Sequence, residues 1–268
     1  MIYRESKASV QHSRIVERFW SVDYEGSSDA PVEPVLPDGR PEIVFNLADR
    51  FQRIRANGDV ETQASAIVSG QIRSRLMIRP SGRVSLFGVR FRPYGGGSFL
   101  RTGMSSLTDH VIPLSDVVGG FASELEARIA QASSFEERVS IVESSIASRP
   151  SVDSDTSITA GLTEMISAAG GKMSITKLVD RTGISQRRIE RMFDRHVGVS
   201  PKVFSRIERF RNVVRSIETT ESFRLLDTAL SHGYYDQSHM IHEFNEFAGT
   251  NPSSYFDETH RLSQLLTS

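Results

Sequence analysis

The sequence predicts an α+β protein with two domains, and three observations support this fold class. The chain has 268 residues, which is longer than one average domain. Short strand-like runs with tight turns fill residues 40–92, whereas everything after residue 157 has a helical pattern in which one skeleton occurs twice. We therefore expect a small N-terminal antiparallel β barrel or sandwich with trailing helices, and an all-α C-terminal domain with two helix-turn-helix units joined by a linker helix.

The predicted strands are short apolar runs separated by turn residues. They are "EIVFNL", "FQRIRANGDVE", "AIVSG", "RLMIR" and "RVSLFGVRF". Asn57-Gly58 predicts a hairpin turn, and Pro80-Ser81-Gly82 predicts a second turn. "PYGGGS" (93–98) then ends the strand pattern, and its "GGGS" lacks the lysine of a phosphate-binding loop, so we expect a flexible turn there.

Two helical stretches follow, and a polar segment separates them from the rest of the chain. The helices are "GGFASELEARIAQA" and "SSFEERVSIVESSIAS"; Ser133 or Ser134 is the expected N-cap of the second, with Glu136 and Glu137 in its first turn. "RPSVDSDTS" (149–157) has no apolar periodicity and reads as a linker. We expect an N-terminal domain at 1–148 and a C-terminal domain at 158–268.

Composition excludes several classes of protein and site. The chain contains no cysteine, which excludes disulfides, thiolate nucleophiles and Cys-ligated zinc. The opening "MIYRESKASV" has no apolar signal core, and no run approaches the roughly 18 apolar residues of a membrane span. We expect a cytoplasmic protein with no membrane partner.

Charge is distributed unevenly along the chain although the net charge is only −1. Residues 172–215 carry 12 Lys and Arg against 4 Asp and Glu, a net charge of +8. Residues 216–268 carry 2 against 8, a net charge of −6. Because clustered positive charge is typical of phosphate binding, the first of these segments is the candidate nucleic-acid contact.

The repeated skeleton lies in "GISQRRIERMFDRHVGVSPKVF" (183–204) and "GYYDQSHMIHEFNEFAGTNPSSYF" (233–256). Each copy has a turn glycine, a helix cap, an apolar pair at i and i+4, a terminating glycine and a proline that starts the next helix. The matched pairs are Gly183 and Gly233, Ser185 and Asp236, Ile189 and Met240, Phe193 and Phe244, Gly198 and Gly249, and Pro201 and Pro252.

A short amphipathic helix precedes each turn glycine, "SITKLVDRT" (174–182) and "SFRLLDTALSH" (222–232). The sequence therefore predicts helix-turn-helix units at about 174–196 and 222–247, in which the second helix enters the major groove of DNA. Residues 201–219 predict a linker helix of about 28 Å at 1.5 Å per residue. That length is close to the roughly 34 Å between successive major grooves on one face of DNA.

Residues 172–257 resemble the AraC/XylS family of transcription regulators. "LVDRTGISQRRIERMFDRHVGVSPKVF" resembles the first helix-turn-helix of that family, and "GYYDQSHMIHEF" with "AGTNPSSYF" resembles its C-terminal signature. "VLPDGRPEIVFNL" (35–47) and "SGRVSLFGVRFRPYGGGSFL" (81–100) resemble an uncharacterised domain that precedes this unit in a subset of the family. The resemblance implies promoter DNA as partner, an effector-sensing N-terminal domain, RNA polymerase and a second copy of the chain as further partners, and regulation of unknown sign.

Matched to the family motif, six residues face the bases and five contact phosphate. The base-facing positions are Arg187, Glu190 and Arg191 in the first reading helix and Ser238, His239 and His242 in the second. The phosphate contacts are Arg188, Arg195, Lys202, Arg206 and Arg209. Arginine can bind guanine O6 and N7, and glutamate can accept from cytosine N4. The alternative interpretation of the basic residues in the first unit is an ordinary solvated basic face.

The second reading helix departs from the family pattern. His242 stands where relatives usually carry Arg, and Asn245 and Glu246 stand where they usually carry Lys or Arg; Glu243 adds a further negative charge. Carboxylates near phosphate weaken binding. We therefore expect asymmetric DNA binding led by the first unit, and the alternative is a ligand- or protein-binding adaptor with weakened DNA affinity.

Other chemistry is poorly supported by the sequence. His239, His242, Glu243 and Glu246 lie at i, i+3, i+4 and i+7, but the family frame already accounts for them, so we expect no metal site. His12 and His110 have no neighbouring nucleophile or carboxylate motif, so we expect neither an enzyme nor a cofactor. The apolar interior of the N-terminal domain is either a ligand site or a packed core.

Overall fold

The computed structural model describes residues 1–27, 29–148, 154–219 and 224–257 of the chain. Within these ranges a β-rich domain is followed by a purely helical one. The predicted fold class is confirmed. Of the two predicted alternatives the structure has the sandwich: the strands form two open sheets that pack together and do not close into a barrel.

The N-terminal domain has ten strands in its described residues. They are β1 Ile2–Lys7, β2 Val16–Tyr24, β3 Glu33–Val35, β4 Glu42–Asn46, β5 Gln52–Ile54, β6 Val60–Thr62, β7 Ala66–Ser69, β8 Leu76–Arg79, β9 Val84–Phe91 and β10 Val111–Pro113. One sheet has the order β1-β2-β9-β4-β7-β10, and the other has the order β3-β8-β5-β6. Neighbouring strands pair antiparallel throughout both sheets.

The predicted strands are confirmed as β4 to β9, including the hairpin at Asn57-Gly58, where Gly58 has a φ of 88°. Strands β1 and β2 were not predicted. Strand β2 lies between β1 and β9, and its central residues from Phe19 to Val22 are all buried, so its side chains do not alternate between core and solvent. A strand buried on both faces lacks the period of two on which the prediction depended.

Short helices cover the outer face of the larger sheet. They are α1 Gly96–Leu100, a 3-10 helix Met104–Leu107, α2 Leu114–Val118, α3 Gly120–Gln131 and α4 Phe135–Ala147. Ser134 caps α4 by accepting from the Glu137 amide, which decides between the two predicted caps. The expected flexible turn at "GGGS" is wrong, because Gly96 to Ser98 form the start of α1.

The C-terminal domain contains seven helices in its described residues. They are α5 Ser154–Ala168, α6 Ile175–Thr182, α7 Gln186–His196, α8 Pro201–Glu218, α9 Leu225–Ser231, α10 Gln237–Ala248 and α11 Pro252–Asp257. Helices α6 and α7 form the first helix-turn-helix unit, and α9 and α10 form the second. Helix α5 begins inside the stretch predicted as linker, of which residues 149–153 lie outside the described residues.

Each helix-turn-helix unit has its own apolar core, and α8 contributes to both. Phe193 of α7 packs on Phe204 of α8 in the first core, and Phe244 of α10 packs on Phe210 of α8 in the second. Burial of these rings stabilises each unit against α8. Helix α8 therefore fixes where the two units lie relative to each other.

The N-terminal domain contributes a residue to both of these cores. Leu36, which follows β3, is 3% exposed and belongs to the core of the second unit. Tyr94, which follows β9, is 6% exposed and belongs to the core of the first unit. The two domains are thus packed together at the cores of both units.

Candidate nucleic-acid interface

Both helix-turn-helix turns have the backbone geometry that the repeated glycines predicted. Gly183 has a φ of 68° and Gly233 a φ of 79°, a region that favours glycine. Asp236 caps α10 by accepting a hydrogen bond of 2.7 Å from the amide of His239. Ser185 occupies the N-cap position of α7 with extended backbone, but its side chain makes no capping bond, so that part of the prediction is wrong.

Helix α7 presents a polar stripe on top of a packed apolar face. Ile189, Met192 and Phe193 are at most 1% exposed, as expected. Arg187, Glu190 and Arg191 are exposed and lie on the opposite side of the helix. Gln186 donates to Glu190 across 2.8 Å, which holds that carboxylate along the stripe.

The expected phosphate contacts of the first unit lie on the surface around α7. Arg188, Arg195 and Lys202 are all exposed. Arg188 also donates to Asp155 of α5 at 3.1 Å, an exposed ion pair of the type that contributes little to stability and is readily exchanged.

The stripe on α10 is less basic than the stripe on α7. Ser238, His239 and His242 are exposed, while Met240 and Phe244 are buried. The ring of His239 meets the ring of Tyr234 edge-on at 5.3 Å between centroids. These three base-facing candidates can donate and accept hydrogen bonds, but only the histidines can carry positive charge.

Glu243 does not lie on the exposed face of α10 as the sequence suggested; it is 2% exposed. Its two carboxylate oxygens accept from two arginines of α8. Arg206 Nε lies 2.8 Å from one oxygen, and Arg209 Nη2 lies 2.9 Å from the same oxygen. Arg209 Nε and Nη2 lie 3.2 Å and 3.1 Å from the other.

Arg206 and Arg209 are therefore in ion pairs with the second unit. Arg206 Nη2 also lies 2.5 Å from Glu246. The guanidinium of Arg206 lies 5.0 Å from the ring centroid of Phe247, and that of Arg209 lies 4.7 Å from the ring centroid of Tyr234. A phosphate contact by either arginine would compete with these carboxylates.

Protonation equilibria reflect the same contacts. Burial lowers the pKa values of Arg206 and Arg209, but the carboxylates more than offset this effect and leave both above the ordinary arginine value. The hydrogen bond from Arg206 lowers the pKa of Glu246. Burial, followed by the charge of Glu243, raises the pKa of the Tyr234 hydroxyl. Both arginines and Glu246 are charged at neutral pH.

A groove of about 690 Å³ runs across α8 between the two units. Its cationic and imidazole side chains are those of Lys172, Lys202, Arg206, Arg209, His239 and His242. Lys172 Nζ donates to the carbonyl of Ser231 at 2.6 Å, which ties the segment before α6 to the end of α9. In the described residues no group of three or more His, Asp or Glu is arranged to hold a metal ion.

A pocket of about 70 Å³ lies between the two sheets of the sandwich. Apolar side chains such as Phe51 and Ile78 line most of it, and Glu42 and Asn46 add polar atoms. Trp20 Nε1 donates to Glu42 at 3.2 Å, and burial raises the pKa of Glu42. Glu42 thus places a largely buried carboxylate in this pocket, and it was not identified from the sequence.

A network of ion pairs joins this region to α8. Arg90, which is 2% exposed, lies 2.6 Å from Glu42 and 3.0 Å from Asp38. Arg40 lies 2.7 Å from Glu17 and, across the domain boundary, 2.8 Å from Glu208 of α8. The motif "VLPDGRPE" supplies Asp38, Arg40 and Glu42, but nothing in its spacing indicates that Arg40 has a partner 168 residues away.

Two further contacts attach the N-terminal domain to the reading helices. The amide of Arg75 donates to the carbonyl of Phe247 at 2.9 Å, near the end of α10. Thr108 Oγ1 donates to the carbonyl of Gly198 at 2.5 Å, and Ser105 donates to Asp194 of α7 at 3.1 Å. Both reading helices therefore contact the N-terminal domain at or near their C-terminal ends.

Comparisons with known families match each domain separately. Residues 178–258 match the family described as "Helix-turn-helix domain", and residues 5–113 match "Domain of unknown function (DUF6597)". A search of curated proteins gave no significant match. None of the helices in the described ranges has the length and apolar character required to cross a membrane.

Comparison with solved structures gave matches at low sequence identity and with TM-scores below 0.5. ToxT from Vibrio cholerae O395 is 13% identical, with 89% of this chain and 97% of that chain covered and a TM-score of 0.48. Unsaturated fatty acid bound ToxT from Vibrio cholerae strain SCE256 is 11% identical, with 89% and 94% covered and a TM-score of 0.48. The AraC-like transcriptional activator CuxR is 15% identical, with 74% and 75% covered and a TM-score of 0.23.

Proposed function

We propose that this chain, whose C-terminal domain is an AraC-type helix-turn-helix domain preceded by a DUF6597 domain, is a sequence-specific transcription regulator. The observation that carries the proposal is the stripe of Arg187, Glu190 and Arg191 on α7. These side chains are exposed and stand on a face whose opposite side is fully buried, which is the arrangement of a reading helix in the major groove.

Sequence recognition would come mainly from α7. Arg187 and Arg191 can each bind the O6 and N7 atoms of a guanine, and Glu190 can accept from the N4 amine of a cytosine. Arg188, Arg195 and Lys202 would contact phosphates and set the register of the protein on DNA. Ser238, His239 and His242 on α10 would make a weaker second set of base contacts, since that helix has no exposed Lys or Arg.

The N-terminal domain would sense an effector, either a small molecule or a protein. The pocket between the two sheets supports this role, as do the contacts from Arg40 to α8 and from Arg75 and Thr108 to segments at the ends of the reading helices. RNA polymerase and a second copy of the chain are further partners that a promoter-bound regulator of this kind would contact.

The alternative function is a ligand- or protein-binding adaptor with weakened DNA affinity. The acidic second unit favours it, because residues 216–268 carry a net charge of −6. The two functions differ in one measurable property. A regulator binds one DNA sequence far more tightly than others, whereas the adaptor would bind all sequences equally weakly, even at low salt.

The test is selection of bound sites from random duplex DNA by the full chain, at two salt concentrations. We expect enrichment of one sequence, and a double variant Arg187→Ala with Arg191→Ala should lose the enrichment while keeping its fold by circular dichroism. A matched control is Arg53→Ala, which removes an arginine of β5 in the N-terminal domain. Failure of the unmodified chain to enrich any sequence would refute the proposed function and favour the adaptor.

A further inference from the structure

Four charged residues connect the linker helix to the second reading helix. They are Arg206 and Arg209 of α8 and Glu243 and Glu246 of α10, and we refer to them as the α8–α10 brace. The sequence pattern alone would assign the two arginines to DNA phosphates and the two glutamates to a repulsive surface. The distances in the brace, which run from 2.5 to 3.2 Å, join them instead as partners.

The centre of the brace is buried, so breaking its contacts would be energetically costly. Glu243 has a side chain that is 2% exposed, whereas Arg209 is 15% and Arg206 is 25% exposed. A carboxylate removed from water must keep its hydrogen-bonding partners, because an unpaired buried charge is strongly destabilising. If Arg206 and Arg209 bound DNA phosphates instead, Glu243 would be left as a buried, unpaired carboxylate.

Aromatic rings fix the two guanidinium groups in place. Arg206 lies over the ring of Phe247 and Arg209 lies over the ring of Tyr234, and both rings belong to the second unit. Arginine carries a planar group that can stack on a ring and donate in its own plane at the same time. Arg206 and Arg209 are therefore each bound to the second unit by a carboxylate and by an aromatic face.

We infer that Glu243 and Glu246 are positioning residues that hold α10 at one angle on α8, and that Arg206 and Arg209 serve as their partners and not as phosphate contacts. This inference rests on the proposed function. The inference explains why the second reading helix is acidic: its carboxylates pair with Arg206 and Arg209 of the linker helix. Of the two glutamates, only Glu246 is exposed to solvent.

The brace determines the spacing between the two reading helices. Helix α7 is attached to the start of α8 through Phe193 and Phe204, and α10 is attached farther along α8 through the brace and through Phe210 with Phe244. Lys172 adds a second tie by its bond to the carbonyl of Ser231. A rigid spacing selects DNA whose two contacted segments lie a fixed number of base pairs apart.

The experiment compares full-length Arg206→Gln with full-length Arg195→Gln. Both substitutions remove one cation, but Arg195 is an exposed residue of α7 that forms no ion pair with any described residue. DNA affinity is measured against salt concentration on the selected site and on versions with one or two base pairs inserted between its two segments.

A phosphate contact and a brace residue give different results. Losing one phosphate contact reduces the slope of log affinity against log salt by about 0.9. We expect that reduction for Arg195→Gln, with equal weakening on every spacing. For Arg206→Gln we expect an unchanged slope and a preference for the original spacing reduced at least fivefold. An equal loss of slope in both variants, or an unchanged spacing preference, would overturn the inference.

A readout without DNA separates this inference from the proposed function. In the DNA-free chain, Glu243→Gln should make hydrogen exchange in α9 and α10 at least fivefold faster, and Arg206→Gln should accelerate it to a smaller extent. Exchange in α6 and α7 should stay the same in both variants. Unchanged exchange in α10 for both variants would refute the brace. Failure to select any DNA sequence, with exchange altered as expected, would refute the proposed function alone.

Discussion

Replacement of Arg40 by methionine tests whether the two domains are held together by a buried ion pair. Arg40 follows β3 in the N-terminal domain, and its guanidinium contacts Glu208 of α8 at 2.8 Å and Glu17 of β2 at 2.7 Å. The Arg40 side chain is 9% exposed and that of Glu208 is 4% exposed. Methionine keeps an unbranched apolar stem but removes the charged guanidinium group.

The expected loss of stability follows from what remains around Glu208. Its other cation, Arg211, is 3.8 Å away, beyond hydrogen-bonding distance. Removing one partner of a buried pair costs about 3 to 5 kcal/mol, because the other charge is left desolvated. Arg55→Met is the matched control: the Arg55–Glu61 pair lies on the surface, with side chains 51% and 49% exposed, and such pairs contribute about 0 to 1 kcal/mol.

The assay is urea unfolding followed by two probes. The chain has one tryptophan, Trp20 in β2, so its fluorescence reports the N-terminal domain, while circular dichroism is dominated by the helices. At a slope of about 2 to 3 kcal/mol per molar urea, Arg40→Met should lower the midpoint by about 1 to 2.5 M. It should also separate the two probes, because the domains then unfold less cooperatively.

A double variant provides the check on the cause of the loss. Glu208→Gln removes the carboxylate that Arg40→Met leaves unpaired. The combined variant should therefore be less destabilised than the sum of the single variants by about 0.5 to 3 kcal/mol. A midpoint shift for Arg40→Met no larger than that of Arg55→Met, or strict additivity in the double variant, would show that the pair does not hold the domains together.

Three further predictions test other parts of the molecule. Arg191→Ala should cost about 1 to 3 kcal/mol of DNA-binding free energy at one base position in a competition assay, whereas equal loss on all sequences would make Arg191 a phosphate contact. Leu36→Ala should destabilise the second unit by about 2 to 5 kcal/mol in urea unfolding followed by circular dichroism, and Val60→Ala, which is 53% exposed, is the control; equal effects would contradict a role for Leu36 in that core. Although burial raises the pKa of Glu17, Arg40 lowers it below the ordinary value of 4.5, so the pair stabilises the fold above that pH and the stability is lost as pH falls through the lowered pKa. Glu17→Gln should therefore reduce the difference between the urea midpoints at pH 7 and pH 4. An unchanged difference would show that the Glu17–Arg40 pair does not contribute to the pH dependence of stability.

The sequence predicted the helical domain better than the β domain, for a physical reason. In the repeated units each role is filled by residues close together in the chain, such as Gly183 before α7 or Met240 and Phe244 within α10. Strand β1 pairs with β2 over a long register from Ile2 opposite Asp23 to Lys7 opposite Arg18. Its residues are mostly exposed, so no apolar period marked it as a strand.

Of the candidate site, the exposed stripe on α7 was predicted correctly as exposed, and its contact with bases stays a prediction. Glu243 was misjudged because it lies at the border of the apolar face of α10, three residues after Met240 and four before Phe247. At such a position the period of the helix leaves exposure undecided. Its burial depends on Arg206 and Arg209, partners on another helix, and no local pattern reports a contact of that kind.

The same long-range pairing changes what the charge profile means. Read along the chain, the +8 of residues 172–215 and the −6 of residues 216–268 are separate properties of two segments. In the folded domain two of the arginines in the first segment face two of the glutamates in the second, so part of each imbalance is cancelled within the protein. Most of the cations that stay exposed in this domain belong to the first unit: Arg187, Arg188, Arg191 and Arg195 lie on α7, and Lys177 and Arg181 lie on α6. The positive field available to a phosphate backbone is therefore concentrated on the first helix-turn-helix unit, and the second unit is shaped mainly by its attachment to α8.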